Sequence, residues 1–173
     1  AYLEHRIAGR WSGEVGVDFM YKRNHVEGFE YLIPEYASHN EALFYLAEGE
    51  LSERTTVQLG GRLGFYGITS PKTVRRLTLN GEVTDAVRSE ALDKSWLNWS
   101  ISSGVRQKVG KHYELKANLA KSFRNPNIAE LAANGVHHGT FRHEMGSAQL
   151  VPEQSIQSEV TLVRKKTSAW SYQ

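Results

Sequence analysis

The sequence predicts an all-β chain, an antiparallel meander that forms part of a transmembrane β-barrel. Three observations predict it. Apolar and polar residues alternate along most of the 173 residues, as they do on a strand with one apolar face. The connections between the alternating runs are short and long in turn, as at the two edges of a barrel. Aromatic residues stand near the ends of the runs, as they do at membrane interfaces: Trp11, Tyr21, Phe65, Trp96, Tyr113 and Trp170.

The first predicted strand covers residues 7–22. Its odd positions include Ile7, Trp11, Val15 and Phe19, whereas its even positions are mostly small, polar or charged. A helix would need apolar residues every three or four positions, and this many glycines would weaken it. The alternation therefore predicts a strand.

Six further strands follow in chain order. Residues 42–50 are a predicted strand whose two faces are both mixed in character. The other five alternate in the manner of the first, at residues 57–66, 97–106, 113–120, 156–163 and 170–173. The longer runs approach the roughly ten residues with which a tilted strand crosses a bilayer.

The predicted connections come in two kinds that alternate along the chain. Three are short, around residues 51–54, 108–111 and 164–167, and three are long, at residues 24–40, 69–95 and 124–153. This rhythm is typical of barrels with short periplasmic turns and longer extracellular loops. The alternative is a soluble, secreted β-sandwich that acts as a binding module, although sandwich strands average about five or six residues. In a sandwich, the apolar face would pack against a second sheet of the same chain.

Composition excludes several classes of function. The chain has 21 basic and 19 acidic residues, so its net charge of +2 gives no electrostatic reason to propose a nucleic-acid partner. It has no cysteine, which excludes disulfides, thiol catalysis and thiolate metal sites. Neither a glycine-rich phosphate loop nor a nucleophile elbow occurs. We therefore expect neither catalysis nor a resident cofactor.

The most specific part of the sequence lies between Lys121 and Glu153. Eight of its residues match motifs of one family: Phe123, Arg124, Pro126, Glu130, Leu131, Leu150, Pro152 and Glu153. They resemble the Phe-Arg-Ala-Pro box, the Glu-Leu pair and the final Pro-Glu of the TonB-dependent outer-membrane receptors of Gram-negative bacteria. Residues 28–30, 33–36, 60–62 and 134–140 also look like positions of these receptors. Asn125 departs from the usual Ala, and residues 146–150 replace an Asn-Pro-x-Leu box, which weakens any transfer of a haem ligand.

This resemblance implies a piece of a barrel of about 22 strands that encloses a separate plug domain in the bacterial outer membrane. Residues 1–173 would form a partial barrel of about seven strands, with both ends read as cuts and the plug absent. The implied function is the import of a siderophore, haem or a similar scarce nutrient, driven by the TonB system. Seven strands cannot close, so we expect lipid, detergent or a second copy of the chain to cover the apolar face.

Candidate ligand-binding residues gather in the last long connection: His137, His138, Arg142 and His143. Imidazoles bind haem iron, zinc and copper, and the resemblance adds that haem receptors place a histidine between their two boxes. The alternative is that these histidines make only local hydrogen bonds. Because the order is not His-Glu-x-x-His and no third ligand on a strand is evident, the sequence does not predict a zinc hydrolase or a metal site.

The motif residues are expected to have a structural role at the base of the same connection. Arg124 and Glu130 would form an ion pair beside a short helix over residues 127–133, with Pro126 at its first position. Other charged residues fall on polar strand positions and would face the barrel interior or solvent: Arg10, Arg62, Arg106, Glu114 and Lys116.

Overall fold

A computed structural model describes residues 1–7, 9–28, 30–79, 82–137 and 139–165. The elements in chain order are β1 (Tyr2–Ile7), β2 (Trp11–Asn24), β3 (Tyr36–Ser52), β4 (Thr55–Ser70), β5 (Thr73–Leu79), β6 (Glu82–Ser89), β7 (Leu92–Val109), β8 (Tyr113–Arg124), α1 (Ile128–Ala132), β9 (Asn134–His137), β10 (Arg142–Met145) and β11 (Glu153–Arg164). Seven strands form one sheet in the order β1-β2-β3-β4-β7-β8-β11, and every neighbouring pair is antiparallel. The predicted all-β meander is confirmed, and the sheet does not close on itself.

Short and long connections alternate as predicted as far as β11, whereas the short connection predicted around residues 164–167 lies partly outside the described residues. Two or three residues join β1 to β2, β3 to β4, and β7 to β8, all at one edge of the sheet. The long connections lie at the opposite edge, called the loop edge below. They contain elements that the sequence did not predict, namely the hairpins β5–β6 and β9–β10. The described residues contain no helix long and apolar enough to cross a membrane.

The predicted first strand is wrong in its extent. The sequence predicts one uninterrupted strand over residues 7–22. Instead, the chain reverses between Ile7 and Trp11, where Gly9 has a φ of +63°. Ile7 and Trp11 are directly paired across this turn. Because paired residues share a face, the apolar positions before the turn are in phase with those after it. The sequence pattern therefore continues through the turn without a break and gives no sign of it. Residues 2–6 are therefore a strand that the sequence did not predict, and the strand predicted at 170–173 lies outside the described residues.

One face of the sheet, called the apolar face, is left uncovered. Six of its side chains are 48–56% exposed: Val17, Leu59, Leu63, Trp99, Ile101 and Leu119. Val15 and Leu115 are partly buried on the same face. The other sheets in the described part of the chain are the two-stranded hairpins of the long connections. Among the described residues no second sheet packs on this face, so the alternative of a β-sandwich is wrong.

The opposite face, called the polar face, carries charges and small side chains. Arg62 on β4 makes a 2.9 Å ion pair with Asp18 on β2. Glu114 is 7% exposed and contacts Lys165 at 2.9 Å and Lys116 at 3.7 Å. Arg106 donates to the Thr56 hydroxyl. Arg10 was expected on this face, but it lies in the β1–β2 turn because the chain reverses there.

Apolar burial is concentrated at the loop edge. Ile68, Leu92, Ile128 and Leu131 form a cluster in which each residue is at most 6% exposed. Ile68 lies on the polar face, six residues after Arg62 on the same strand, so α1 packs over that face at the loop edge. The sheet thus has a small core of its own only where the long connections meet it.

Candidate functional site

The base of the last long connection is held by one guanidinium group between two carboxylates. Arg124, at the end of β8, donates from Nη1 and Nη2 to both Glu130 oxygens at 2.9 Å. It also donates from Nε and Nη2 to Glu153, the first residue of β11, at 3.0 and 2.9 Å. These four bonds, called the anchor below, join the two ends of the connection to its helix. The ion pair predicted between Arg124 and Glu130 is formed.

The helix predicted in this connection is confirmed, with one correction. It spans Ile128–Ala132, and Asn127 is its N-cap. The Asn127 side chain accepts from the Glu130 N–H, and the Glu130 carboxylate accepts from the Asn127 N–H, which is a complete capping box. Pro126 precedes the cap and is not the first helical residue. The Arg124 guanidinium, together with the Asn127 N–H, holds the pKa of Glu130 below its usual range.

The remaining motif residues fix the position of this helix. Leu131 is 2% exposed in the apolar cluster, and Pro126 is also buried. Phe123 is partly buried, and its ring would contact a Cβ at Gly64 at 3.7 Å. Pro152 is partly buried beside the anchor residue Glu153. These residues therefore pack and pair at the loop edge.

A second cluster, called the loop junction below, fastens three long connections to one another. Glu30 of the first connection contacts Arg75 on β5 at 2.9 Å and Arg88 on β6 at 3.6 Å. Arg88 donates to the Tyr31 carbonyl at 2.7 Å and lies 5.0 Å above the centre of the Tyr31 ring. The third connection joins through Asn134, whose side chain donates to the Arg88 carbonyl at 2.7 Å. The Asn134 N–H donates to the Leu32 carbonyl.

The anchor and the loop junction form a continuous rim. Beyond α1, the Gly146 N–H donates to the Ala133 carbonyl, and the Ser147 N–H donates to the Glu130 carbonyl. The β9–β10 hairpin is thereby held between the helix and the loop junction. Such a rim is typical of a recognition surface, because binding residues are commonly placed on loops that a rigid scaffold positions.

The whole arrangement matches one protein family. A family model described as "TonB dependent receptor-like, beta-barrel" matches residues 2–172. This chain belongs to the TonB-dependent receptor-like β-barrels. The proteins of this family are outer-membrane transporters rather than enzymes. No curated protein matches the chain.

A solved structure has the same fold as this receptor barrel chain. It is a double mutant of the Serratia marcescens hemophore receptor HasR, in complex with its hemophore HasA and heme. The two chains are 20% identical, with a TM-score of 0.74. The match covers 98% of this chain and 29% of that one, so the chain spans less than a third of the length of HasR.

The histidines of this receptor barrel chain are separated by the strand register. His137 on β9 pairs with Arg142 on β10, and Val136 pairs with His143. Since paired residues share a face and successive residues alternate, His137 and His143 lie on opposite faces of the hairpin. Both are exposed, and His137 Nδ1 lies 3.1 Å from the Thr140 hydroxyl. His138 lies outside the described residues.

His137 and His143 therefore cannot converge on one ligand atom from the same face of the hairpin. Arg142 does share the face of His137. In the part of the chain that the structure describes, no three His, Asp or Glu side chains group as metal ligands.

Sequence reasoning did not find the loop junction. Glu30 lies within a weak family match, but its partner Arg88 is 58 residues away in a different long connection. The junction depends on how three connections fold over one another, and no local spacing records that. The segment Thr73–Leu79 offered little local signal, because the adjacent Arg75 and Arg76 interrupt the alternation of its apolar residues.

Gly135→Ala is expected to open the loop junction. A Cβ at Gly135 would lie 2.6 Å from the Tyr31 carbonyl oxygen and 2.9 Å from an Arg88 nitrogen. Overpacking of this kind typically costs about 1–3 kcal/mol. Hydrogen exchange of the amides in residues 30–36 of the full-length receptor should therefore accelerate. The matched control is Gly139→Ala, where the nearest described neighbour would be 3.4 Å away. Equal exchange in the two variants would contradict the junction.

Proposed function

We propose that this chain forms part of the wall and of the extracellular rim of an outer-membrane, TonB-dependent transporter. The observation that carries the proposal is the seven-stranded sheet, which has an exposed apolar face and all its long connections at one edge. In water, that face would be an aggregation hazard, whereas in a bilayer it contacts acyl chains. Membership of the receptor family supports this assignment.

The partners in the intact receptor follow from the two faces. Outer-membrane lipid covers the apolar face, and without lipid, detergent or a second copy of the chain would cover it. The polar face, with Asp18, Arg62 and Arg106, offers hydrogen bonds and charges to a plug domain within the barrel. The TonB system supplies the energy that moves the plug. This chain does not catalyse a reaction.

The cargo that we propose is an iron complex, either haem or a siderophore. The rim lies at the loop edge, which faces outward in barrels of this kind. Support for haem comes from the HasR receptor, whose solved structure contains heme and a hemophore. His137, His143 and Arg142 are exposed on the hairpin beside the rim and are the residues we propose for cargo contact. Haem is cargo here, and the barrel needs no resident cofactor.

Growth on defined iron sources tests this function. The full-length receptor would be produced in cells that lack other iron receptors, with and without a working TonB system. We expect haemin or a ferric siderophore to support growth only when both the receptor and TonB are present. Growth that is independent of TonB would contradict the transporter. Failure of both iron sources would contradict the proposed cargo.

Single histidine substitutions test the contact with haem. Because His137 and His143 lie on opposite faces of the hairpin, we expect only one of His137→Ala and His143→Ala to weaken haem binding by the full-length receptor. The expected loss is about tenfold or more, equivalent to roughly 1.4 kcal/mol of binding free energy. Replacing His137, His138 and His143 together should lose at least as much as the effective single variant. Unchanged haem affinity in the triple variant would contradict the haem contact and leave the siderophore as cargo.

A further inference from the structure

A depression of about 580 Å³ interrupts the apolar face of the sheet. Its walls include Tyr45, Leu59, Ile101 and Leu119. Its floor is open because Gly61 has no side chain, and no described atom lies within 4 Å of where a Cβ would stand. The depression therefore has room for a hydrocarbon chain.

The depression follows one cross-strand row of the sheet. Direct pairing links Tyr45, Gly61, Ile101, Lys121 and Ile156 on five adjacent strands, a distance of roughly 19 Å at the usual strand spacing. Gly61 is at the middle of the apolar run 57–65 of β4. On β8, in contrast, Leu119 ends the apolar run, and Lys121 is the next residue on that face. The row therefore crosses the apolar band obliquely, from the middle of the band on β4 to its loop-edge limit on β8.

The ammonium group of Lys121 lies at that loop-edge limit. Lys121 Nζ lies 3.7 Å from the centre of the Trp99 ring and donates to the Trp99 carbonyl at 2.9 Å. The pairing of β7 with β8 ends at Ile101 and Lys121. The Trp99 carbonyl therefore lies beyond the last strand pair, and Lys121 donates to it. An ammonium group has three N–H donors, and this carbonyl occupies one of them.

We propose that this depression is a binding site for one membrane lipid with a phosphate headgroup. The phosphate pairs with Lys121 beside Trp99, and one acyl chain lies along the depression past Ile101 and Gly61. A lysine at the limit of the apolar run on β8 is suited to this role, since anionic headgroups attract cations at the membrane interface. The Trp99 ring and carbonyl hold its ammonium group in place. The inference rests on the membrane location proposed above and is independent of the cargo.

Native mass spectrometry of the full-length receptor in detergent, titrated with dimyristoyl phosphatidic acid, tests the site. Gly61→Leu fills the depression, and we expect it to weaken binding about tenfold. Ala117→Leu adds similar bulk to the same face outside the depression, and we expect it to bind as the wild type does. Lys121→Gln should weaken binding about fivefold, because one cation near an anionic headgroup contributes roughly that factor. Dimyristoylglycerol, which lacks the phosphate, should bind the wild type and Lys121→Gln equally.

Two results would overturn the proposal. One is a loss in Ala117→Leu as large as that in Gly61→Leu, which would mean that the depression is not a distinct site. The other is full binding of phosphatidic acid by Lys121→Gln. Folding of each variant is checked by the heat-dependent shift of the barrel on electrophoresis, and the growth assay with haemin or siderophore is scored separately. A failed cargo assignment would therefore leave the lipid result intact.

Discussion

Leu59→Arg is expected to destabilise the receptor barrel in a lipid bilayer, whereas Gln58→Arg is expected to be tolerated. The two residues are neighbours on β4 and lie on opposite faces of the sheet. Leu59 is 48% exposed on the apolar face, two residues from the middle of the apolar run 57–65. An arginine facing lipid near the bilayer midplane costs about 2–4 kcal/mol. At Gln58, an arginine would lie on the polar face beside Glu48, which already accepts from that side chain.

The measurement is the unfolding free energy of the full-length receptor in lipid vesicles, together with the fraction of folded barrel in the outer membrane. A large loss in Leu59→Arg beside a small one in Gln58→Arg would support the assignment of the two faces. If the apolar face were in water, replacing an exposed leucine by arginine would leave stability unchanged. Equal stability of the two variants would therefore contradict the membrane barrel.

Arg124→Ala is expected to release the helix and the start of β11 from the rim. The substitution removes four hydrogen bonds and leaves the Glu130 and Glu153 carboxylates close together without their cation. We expect hydrogen exchange of the amides in residues 127–133 to accelerate on the order of threefold to tenfold. The effect is no larger because Arg124 is 51% exposed and solvent screens its charge. Exchange in Arg124→Lys should be faster than in the wild type and slower than in Arg124→Ala, since an ammonium cannot bond both carboxylates in the same planar geometry.

The matched control for the anchor is Arg76→Ala. Arg76 makes one exposed ion pair with Asp85 at 3.4 Å inside the β5–β6 hairpin. Exposed pairs of this kind contribute little to stability, so exchange at residues 127–133 should stay at the wild-type rate. If Arg124→Ala exchanged no faster than Arg76→Ala, the anchor would not hold the helix.

The strands were predictable wherever the two faces of the sheet differ in polarity. On β7, the prediction covered residues 97–106, yet the strand runs over Leu92–Val109. Asp93 and Lys94 precede the predicted start, and because both are polar they end the alternation of apolar and polar residues. Their backbone pairing with β4 nevertheless continues. Alternation reports the difference in polarity between the two faces, so it marks the apolar band and misses the strand ends outside it.

The candidate site was predictable only where its partners are close in sequence or carry a family motif. Arg124, Pro126 and Glu130 lie within seven residues, and their spacing predicts both the helix and the ion pair. The three-loop contact of Glu30 with Arg88 has no such signal, because it depends on the packing of separate connections. For the histidines of the last long connection, sequence reasoning failed in the opposite way. Their closeness in sequence suggested a cluster in space. A strand register separates His137 from His143.

Site-directed spin labelling along β7 tests the central claim most directly. Residues 1–173 contain no cysteine, and any cysteine elsewhere in the receptor would first be replaced by serine. Single cysteines at residues 97–106 of the full-length receptor would each carry a nitroxide, and collisions with oxygen and with a nickel chelate would be measured in lipid vesicles. The odd positions, which include Leu97, Trp99 and Ile101, should have high oxygen and low nickel accessibility, and the even positions should have low oxygen accessibility. An oxygen profile without a period of two, or odd positions that the nickel chelate reaches freely, would contradict a lipid-facing barrel wall.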